Sequence, residues 1–410
     1  MTAQDPGPAT GQEERPPAPG DTGGTGGWFP SPEGTPCPWL AAAPRPLQEG
    51  FDLALLDLDG VVYVGPRAVD GAVPALRAAA DAGMRLAYVT NNAARPPEAV
   101  AAHLRELGIP AEGRDVVTSA QVAAALLARR LPTGSGVLVV GGEGLRRALD
   151  AEGLRPVDSL GDGPRAVVQG FSPDLGWLQL AEGAQAVRSG LFWMATNLDM
   201  TVPRAGGPAP GNGTLVAAVR TAAGRGPDQV AGKPDPAPFL ETVRRTGSER
   251  PLVVGDRLDT DLEGARAAGI PGLLVLTGVS GAGDLLACPA HRRPTFLGAD
   301  LAALSVSHPL TSVRARPDHE GPSGHDGPAG GTEGTCGRAV VVVGNSADGT
   351  ARARVVRSGQ DPLDLLRAAC GAVWAREDRS DAGQRSRRPT DTSEISTILD
   401  RQTQGAPWAR

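Results

Sequence analysis

The chain has 410 residues, a formal net charge of −6 and a charged fraction of 21%. That balance argues against a broad nucleic-acid footprint, and the sequence holds no run of 18 apolar residues that could span a membrane. Gly (56) and Pro (38) make up nearly a quarter of the chain and crowd its ends. Residues 1–46 carry 11 Pro and 8 Gly, so this extension is expected to be disordered, as is the polar, arginine-rich tail 376–410. Cys37, Cys288, Cys336 and Cys370 lie far apart without Cys-x-x-Cys spacing. They read as free thiols rather than a zinc site or a disulfide framework. No basic segment followed by an apolar one opens the chain, so a cytoplasmic location is expected.

In chain order, the first folded signal is Phe51-Asp-Leu-Ala-Leu-Leu-Asp57-Leu-Asp59-Gly60. A short apolar run bounded in this way predicts a buried parallel strand. Asp57 then falls at the strand's carboxyl end, where open α/β sheets place their sites. An Asp-x-Asp pair by itself caps turns as readily as it works in a site. Helices are expected at 74–82, 97–107 and 119–130, around a second strand, Met84-Arg-Leu-Ala-Tyr-Val-Thr90, that ends in Asn91-Asn92. Threonine and asparagine there suit either a turn or phosphate oxygens. A new strand–helix series starts at 136–141 and runs through 165–170 and 191–197. The last of these apolar runs, Arg250-Pro-Leu-Val-Val-Gly255-Asp256, also ends in acid, with Asp259 and Asp261 close behind.

One residue stands out against the composition. Of the 40 Lys and Arg residues, 39 are arginine, and the sole lysine is Lys233, in Ala231-Gly232-Lys233-Pro234-Asp235-Pro236. Lysine is a compact ammonium and arginine a wide planar fork, so a position that keeps lysine points to a site needing a small charge. Chance is the alternative for any single residue, but three strands ending in acid, hydroxyl and acid, with Lys233 before the last, make it a poor account.

Together, Asp57-x-Asp59-Gly60, Thr90-Asn91-Asn92, Gly232-Lys233-Pro234 and Gly255-Asp256-x-x-x-Thr260-Asp261 resemble the four ordered motifs of the haloacid-dehalogenase-like (HAD) phosphatases. The wording Asp-Leu-Asp-Gly-Val-Val-Tyr is similar to the subfamily with a large α/β cap between motifs two and three. The resemblance covers 51–304. It implies an α/β fold: a Rossmann-like, doubly wound parallel-sheet core with an inserted α/β cap. The core is expected at 47–130 and 227–306, and the cap at 131–226.

The resemblance further implies Asp57 as nucleophile and Asp59 as general acid and base. Thr90, the amide of Asn91 and Lys233 would hold phosphate. Mg²⁺ would be held by Asp57, the backbone carbonyl of Asp59, and Asp256, with Asp261 in support and Asp259 solvated. Asn197 and Asp199 are candidates to line the substrate entrance from the cap, against the ordinary reading of strand-end turn residues. Beyond the core, 307–337 reads as a linker and 338–375 as a small β-β-α appendage, for which packing is favoured over regulation because under 40 residues rarely folds alone.

The expectation is thus a Mg²⁺-dependent phosphatase acting on a small organic phosphate ester through an aspartyl-phosphate. Glycerol 3-phosphate leads, and phosphoglycolate, sugar or nucleotide esters are alternatives. A phosphomutase and a non-catalytic binding protein are the readings from other classes. No nucleic-acid or membrane partner is expected, and homo-oligomerisation is left open.

Overall fold

The computed structural model describes residues 35–36, 39–202, 207–316, 331–345, 350–381 and 389–403. Three strands come first: β1 Leu53–Leu56, β2 Arg85–Thr90 and β3 Val116–Thr118. Five follow in an inserted domain: β4 Gly136–Val140, β5 Arg155–Val157, β6 Ala166–Gln169, β7 Phe192–Ala195 and β8 Gln229–Val230. β9 Pro251–Gly255, β10 Gly272–Val275 and β11 Phe296–Gly298 rejoin the first three. The core sheet is wholly parallel, in the order β11-β10-β9-β1-β2-β3.

β1 lies between β9 and β2, and all four of its residues are buried. Leu53 and Leu55 pack with Val89, Phe239 and Val253 on one face. Ala54 and Leu56 pack with Leu76, Tyr88 and Leu104 on the other. Covering both faces removes the apolar–polar alternation of a half-exposed strand. Each buried leucine contributes roughly 1.5–3 kcal/mol relative to exposure.

The inserted domain has its own parallel sheet, ordered β8-β7-β6-β4-β5. Helices Trp177–Arg188 and Asn212–Ala223 supply Ala184, Val187, Val216 and Val219 to one face, against Leu138, Val167 and Trp193. The sheet extends to Val230, a few residues beyond the expected end of the cap. The chain therefore re-enters the core directly at Ala231–Lys233.

The C-terminal part departs from expectation. Residues 311–315 and 332–336, expected within a linker, form β12 Thr311–Ala315 and β13 Thr332–Cys336. With β14 Ala339–Asn345 and β15 Ala351–Arg357 they make an antiparallel sheet, extended at one edge by Thr35–Pro36. The sequence pattern hides β13 because Gly334 sits in its middle. A Cβ there would lie 2.0 Å from the carbonyl oxygen of Ala368, so the helix Pro362–Asp381 can cross the sheet only over glycine.

Helix Pro362–Asp381 passes the expected start of a disordered tail at 376, and Ser393–Gln402 forms a further helix within it. Ile395 and Leu399, one helical turn apart, are buried there, a stripe too short to register as a period. The extension 1–46 is likewise ordered in part: Leu40 and Ala43 are buried, and Ala43 and His308 exchange backbone hydrogen bonds of 3.0 and 2.7 Å. Its residues 1–34, 37 and 38, Cys37 among them, lie outside the described residues.

This unit shares one apolar cluster with the core, in which Leu274, Leu285 and Leu297 meet Val341, Leu365 and Trp374. Arg293, with its side chain 2% exposed, pairs with Asp378 at 2.7 Å and Glu377 at 3.2 Å. Cys288, Cys336 and Cys370 are buried free thiols. Among the described residues, no helix is long and apolar enough to cross a membrane.

Glu241, on helix Ala237–Thr246, is buried beside Arg244, Arg245 and Arg129 at 2.8, 2.9 and 3.5 Å. Hydrogen bonding from Arg244, reinforced by Arg245, outweighs burial and holds its carboxyl at about 2. A carboxyl depressed in the folded state stabilises above its unfolded value of 4.5 and loses that contribution as pH falls toward 2. Glu241→Gln is expected to lower unfolding free energy at pH 7 by about 1–3 kcal/mol. In urea titrations, the gap between wild type and variant should narrow as pH drops below 4.5; a gap constant with pH would show that the carboxylate is not responsible.

Candidate active site

Three neighbouring strands of the core sheet end at one place. Asp57 follows β1, Thr90 closes β2 and Asp256 follows β9. The backbone N–H of Asp57 still donates to Val254 at 2.9 Å, so the strand ladder sets where its side chain begins. Asp261 lies in the helical turn Leu258–Leu262 that follows. Lys233 arrives from the far end of the cap.

The Lys233 ammonium is 4% exposed as a residue and meets Asp57 Oδ1 at 2.5 Å, Asp261 Oδ1 at 2.7 Å and the Val89 carbonyl oxygen at 3.1 Å. The ammonium donates hydrogen bonds to Asp57 and the Val89 carbonyl, and Asp261 meets it as an ion pair. Burial alone would lower its pKa, but Asp261 and Asp57 hold it above the ordinary lysine range, so it is cationic. An arginine would not fit this spacing as a point charge.

Asp256 is fully buried, and its Oδ2 accepts from the N–H of Val279 at 2.7 Å. Its Oδ1 has no partner. Oxygens of Asp57, Asp256 and Asp261 lie within 4.8 Å of one another. Burial, then the charges of Asp261 and Asp57, push the Asp256 carboxyl well above the usual carboxylate range. Three carboxylates against one ammonium leave two uncompensated negative charges, a severe cost in a buried site. A hard divalent cation with oxygen ligands matches both the charge and the orphaned oxygen. The walls leave room for little else: a Cβ at Gly278 would sit 1.9 Å from Asp256 Oδ2, and one at Gly60, whose φ is +87°, 2.6 Å from it.

Asp59, two residues beyond Asp57, is exposed as a residue. Partial desolvation there, followed by the charge of Asp57, raises its carboxyl to about 6 against the pull of Lys233, Arg95 and His103. That value lets it exchange a proton near neutrality. Thr90 is 5% exposed, and its Oγ1 accepts from the N–H of Asn92 at 3.1 Å.

Asn91 does more than the sequence suggests. Its Oδ1 accepts from the Lys233 N–H at 2.8 Å and its Nδ2 donates to the Lys233 carbonyl at 3.1 Å, clamping that backbone from both sides. Its own carbonyl accepts from Ser119 Oγ at 2.7 Å and from Asn197 Nδ2 at 2.8 Å. Asn197 is accordingly buried and committed to the core, and its carbonyl accepts from Asn212 Nδ2 at 2.8 Å. Asp199, in contrast, lines a cleft of about 600 Å³ with Met200, Lys233, Arg257 and Thr260. Asp259 is exposed, as expected, and within that exposure it forms a two-point ion pair with Arg257 at 3.1 and 3.0 Å. Sequence reasoning missed Arg257, Ser119 and the segment Thr277–Val279. The last follows an apolar strand end, β10, just as the recognised motifs follow theirs.

Fold and site together define a capped α/β enzyme built for phosphoryl transfer. Comparison with known proteins agrees. A haloacid dehalogenase-like hydrolase model matches residues 54–155, and a second HAD-type hydrolase model matches 230–304. The D-glycerol 3-phosphate phosphatase of Mycobacterium tuberculosis is 46% identical over 330 residues, covering 80% of this chain and 88% of that one. A crystal structure of glycerol phosphate phosphatase from the same organism, in complex with magnesium, superposes with a TM-score of 0.72 at 42% identity. It covers 87% of this chain and 98% of its own. The 4-nitrophenylphosphatase of Thermotoga maritima gives 0.58 at 31% identity, over 63% of this chain and 98% of its own. The chain belongs to the haloacid dehalogenase-like hydrolases.

Gly278→Ala tests the cradle around Asp256. The added methyl must displace that carboxylate, and Mg²⁺ affinity measured by calorimetry is expected to fall about 10–100-fold. Unchanged affinity would mean that Asp256 is not a ligand.

Proposed function

We propose that this chain is a Mg²⁺-dependent phosphatase that hydrolyses a small organic phosphate monoester, with glycerol 3-phosphate as its leading substrate. The observation that carries the reading is the largely buried group of Asp57, Asp256, Asp261 and Lys233, with the raised carboxyl of Asp59 close enough to feel the charges of Asp57 and Lys233. The substrate comes from likeness to the mycobacterial enzyme named for glycerol 3-phosphate.

In this reading Asp57 attacks phosphorus in line, the ester oxygen departs, and an aspartyl-phosphate forms. Protonated Asp59 gives its proton to the departing alkoxide. Once ionised, it takes a proton from the water that attacks the aspartyl-phosphate, which restores Asp57 and frees inorganic phosphate. Lys233, Thr90 and the amide of Asn91 hold the transferring oxygens. Asp57, the carbonyl of Asp59, and Asp256 would hold Mg²⁺, which supplies charge neutralisation at the phosphoryl group when bound. Asp261 anchors Lys233. Asn197 and Asn91 hold the cap against the core, and Asp199 faces the leaving group. The location is proposed as cytoplasmic, supported by the three free thiols.

The test is phosphate release from a panel of small phosphate esters. Wild type with Mg²⁺ is expected to turn over glycerol 3-phosphate and to stop in EDTA. Asp57→Asn, which keeps the shape, should lose activity on the order of 10³-fold or more. Asp59→Asn should lose kcat by about 10²–10⁴-fold with substrate affinity retained. Wild-type turnover by Asp57→Asn would overturn the mechanism. No release from any ester would favour a mutase or a binding protein.

A further inference from the structure

The cleft beside Lys233 has a charge pattern that bears on what it accepts. Its charged lining residues are Asp199, Lys233, Asp235, Arg257 and Asp259, and Leu198, Met200 and Val230 supply apolar wall. Lys233 is already spent on Asp57 and Asp261 at the phosphate end. Asp235 Oδ1 accepts from the N–H of Ala237 at 2.8 Å and so caps its own helix. Asp199 accepts long hydrogen bonds from Asn91 Nδ2 at 3.4 and 3.3 Å but still lines the cleft, so Asp199, Arg257 and Asp259 remain to face a leaving group.

A guanidinium fork in a phosphatase cleft is the natural receptor for a second anionic group on the substrate, whether carboxylate or phosphate. Here the fork is filled from within. Arg257 Nε and Nη2 donate to the two oxygens of Asp259 at 3.1 and 3.0 Å. With Arg257 neutralised, Asp199 leaves this end of the cleft with a net negative charge. Carboxylate oxygens accept hydrogen bonds from hydroxyls and repel anions.

We infer that the Arg257–Asp259 pair is a specificity device: it admits phosphate esters whose leaving group is uncharged and hydroxylated, and turns away those carrying a second anion. The inference rests on the phosphatase reading above and narrows it to polyol phosphates. Asp259 acts by occupying Arg257 rather than by touching the reacting atoms.

The experiment uses the full chain with Mg²⁺ and compares kcat/KM for glycerol 3-phosphate and for 2-phosphoglycolate, which carries a carboxylate on a leaving group of similar size. Each preparation supplies its own ratio, so partial unfolding of a variant cancels. Wild type should favour glycerol 3-phosphate. Asp259→Asn unmasks the Arg257 charge and should move the ratio toward 2-phosphoglycolate by about tenfold. Adding Arg257→Gln to that variant should return the ratio, and raising KCl should shrink the shift. A ratio unmoved by Asp259→Asn, or a wild type that already prefers 2-phosphoglycolate, overturns the inference while leaving a phosphatase in place. A wild type that hydrolyses neither ester overturns the substrate reading, and this one with it.

Discussion

The site depends on one buried ammonium. Lys233 stands between Asp57 and Asp261 at 2.5 and 2.7 Å, almost wholly out of water. Without it, three carboxylates would converge with no fixed counter-charge, and some would have to protonate. With it, the residual charge is what one divalent cation can balance. The constraint reaches well beyond the side chain. Lys233 sits where the chain leaves the cap, so the cap must end with its return strand aimed at the core. The Asn91 side chain clamps the Lys233 backbone, and Asn197 from the cap holds Asn91 in turn. The cap is thereby tied to the position of a charge at the centre of the core.

The parallel sheet makes this convergence possible. β1, β2 and β9 are adjacent, so the first residues after each lie side by side without long loops. Glycine then sets how closely backbone can approach the carboxylates. Gly60 and Gly278 press on Asp256, and a Cβ at Gly255 would come within 2.2 Å of the Asp261 Cβ. The crowding fixes the carboxylates by shape as well as by hydrogen bonds, which suits a site whose charges repel one another when empty of a cation.

The C-terminal unit belongs to the same folded body. Its helix Pro362–Asp381 packs into an apolar cluster with core residues, and Trp374 Nε1 donates to the Leu285 carbonyl at 3.3 Å. Core and cap together are under two thirds of the chain, so a match to 87% of it extends past them. The mycobacterial relative therefore shares more of the outlying chain than the phosphatase scaffold requires. The C-terminal unit of this chain packs with residues of β10 and β11, at the opposite end of the core sheet from β2 and β3.

Much of the core and site was legible because it depends on local order. A buried parallel strand writes itself as an apolar run, and a residue just past its end inherits a position in the sheet. Asp57, Thr90 and Asp256 could be named from that rule, and Lys233 from the one lysine among arginines. Beyond that, sequence order was a poor guide. Asn91 and Asn197 look like turn residues, yet long-range hydrogen bonds make them the joint between cap and core. Asp259 is solvated as expected, but its pairing with Arg257 could not be read from the sequence. β13 and the helix at Ser393–Gln402 lack a visible period because a helix crossing over Gly334, and burial of only two residues per helix, leave little pattern to read. The sequence by itself determined which chemical groups end each strand, since strand periodicity is a property of the chain. Only the tertiary structure decided which of those groups share a charge, since that depends on distances between residues far apart in the chain.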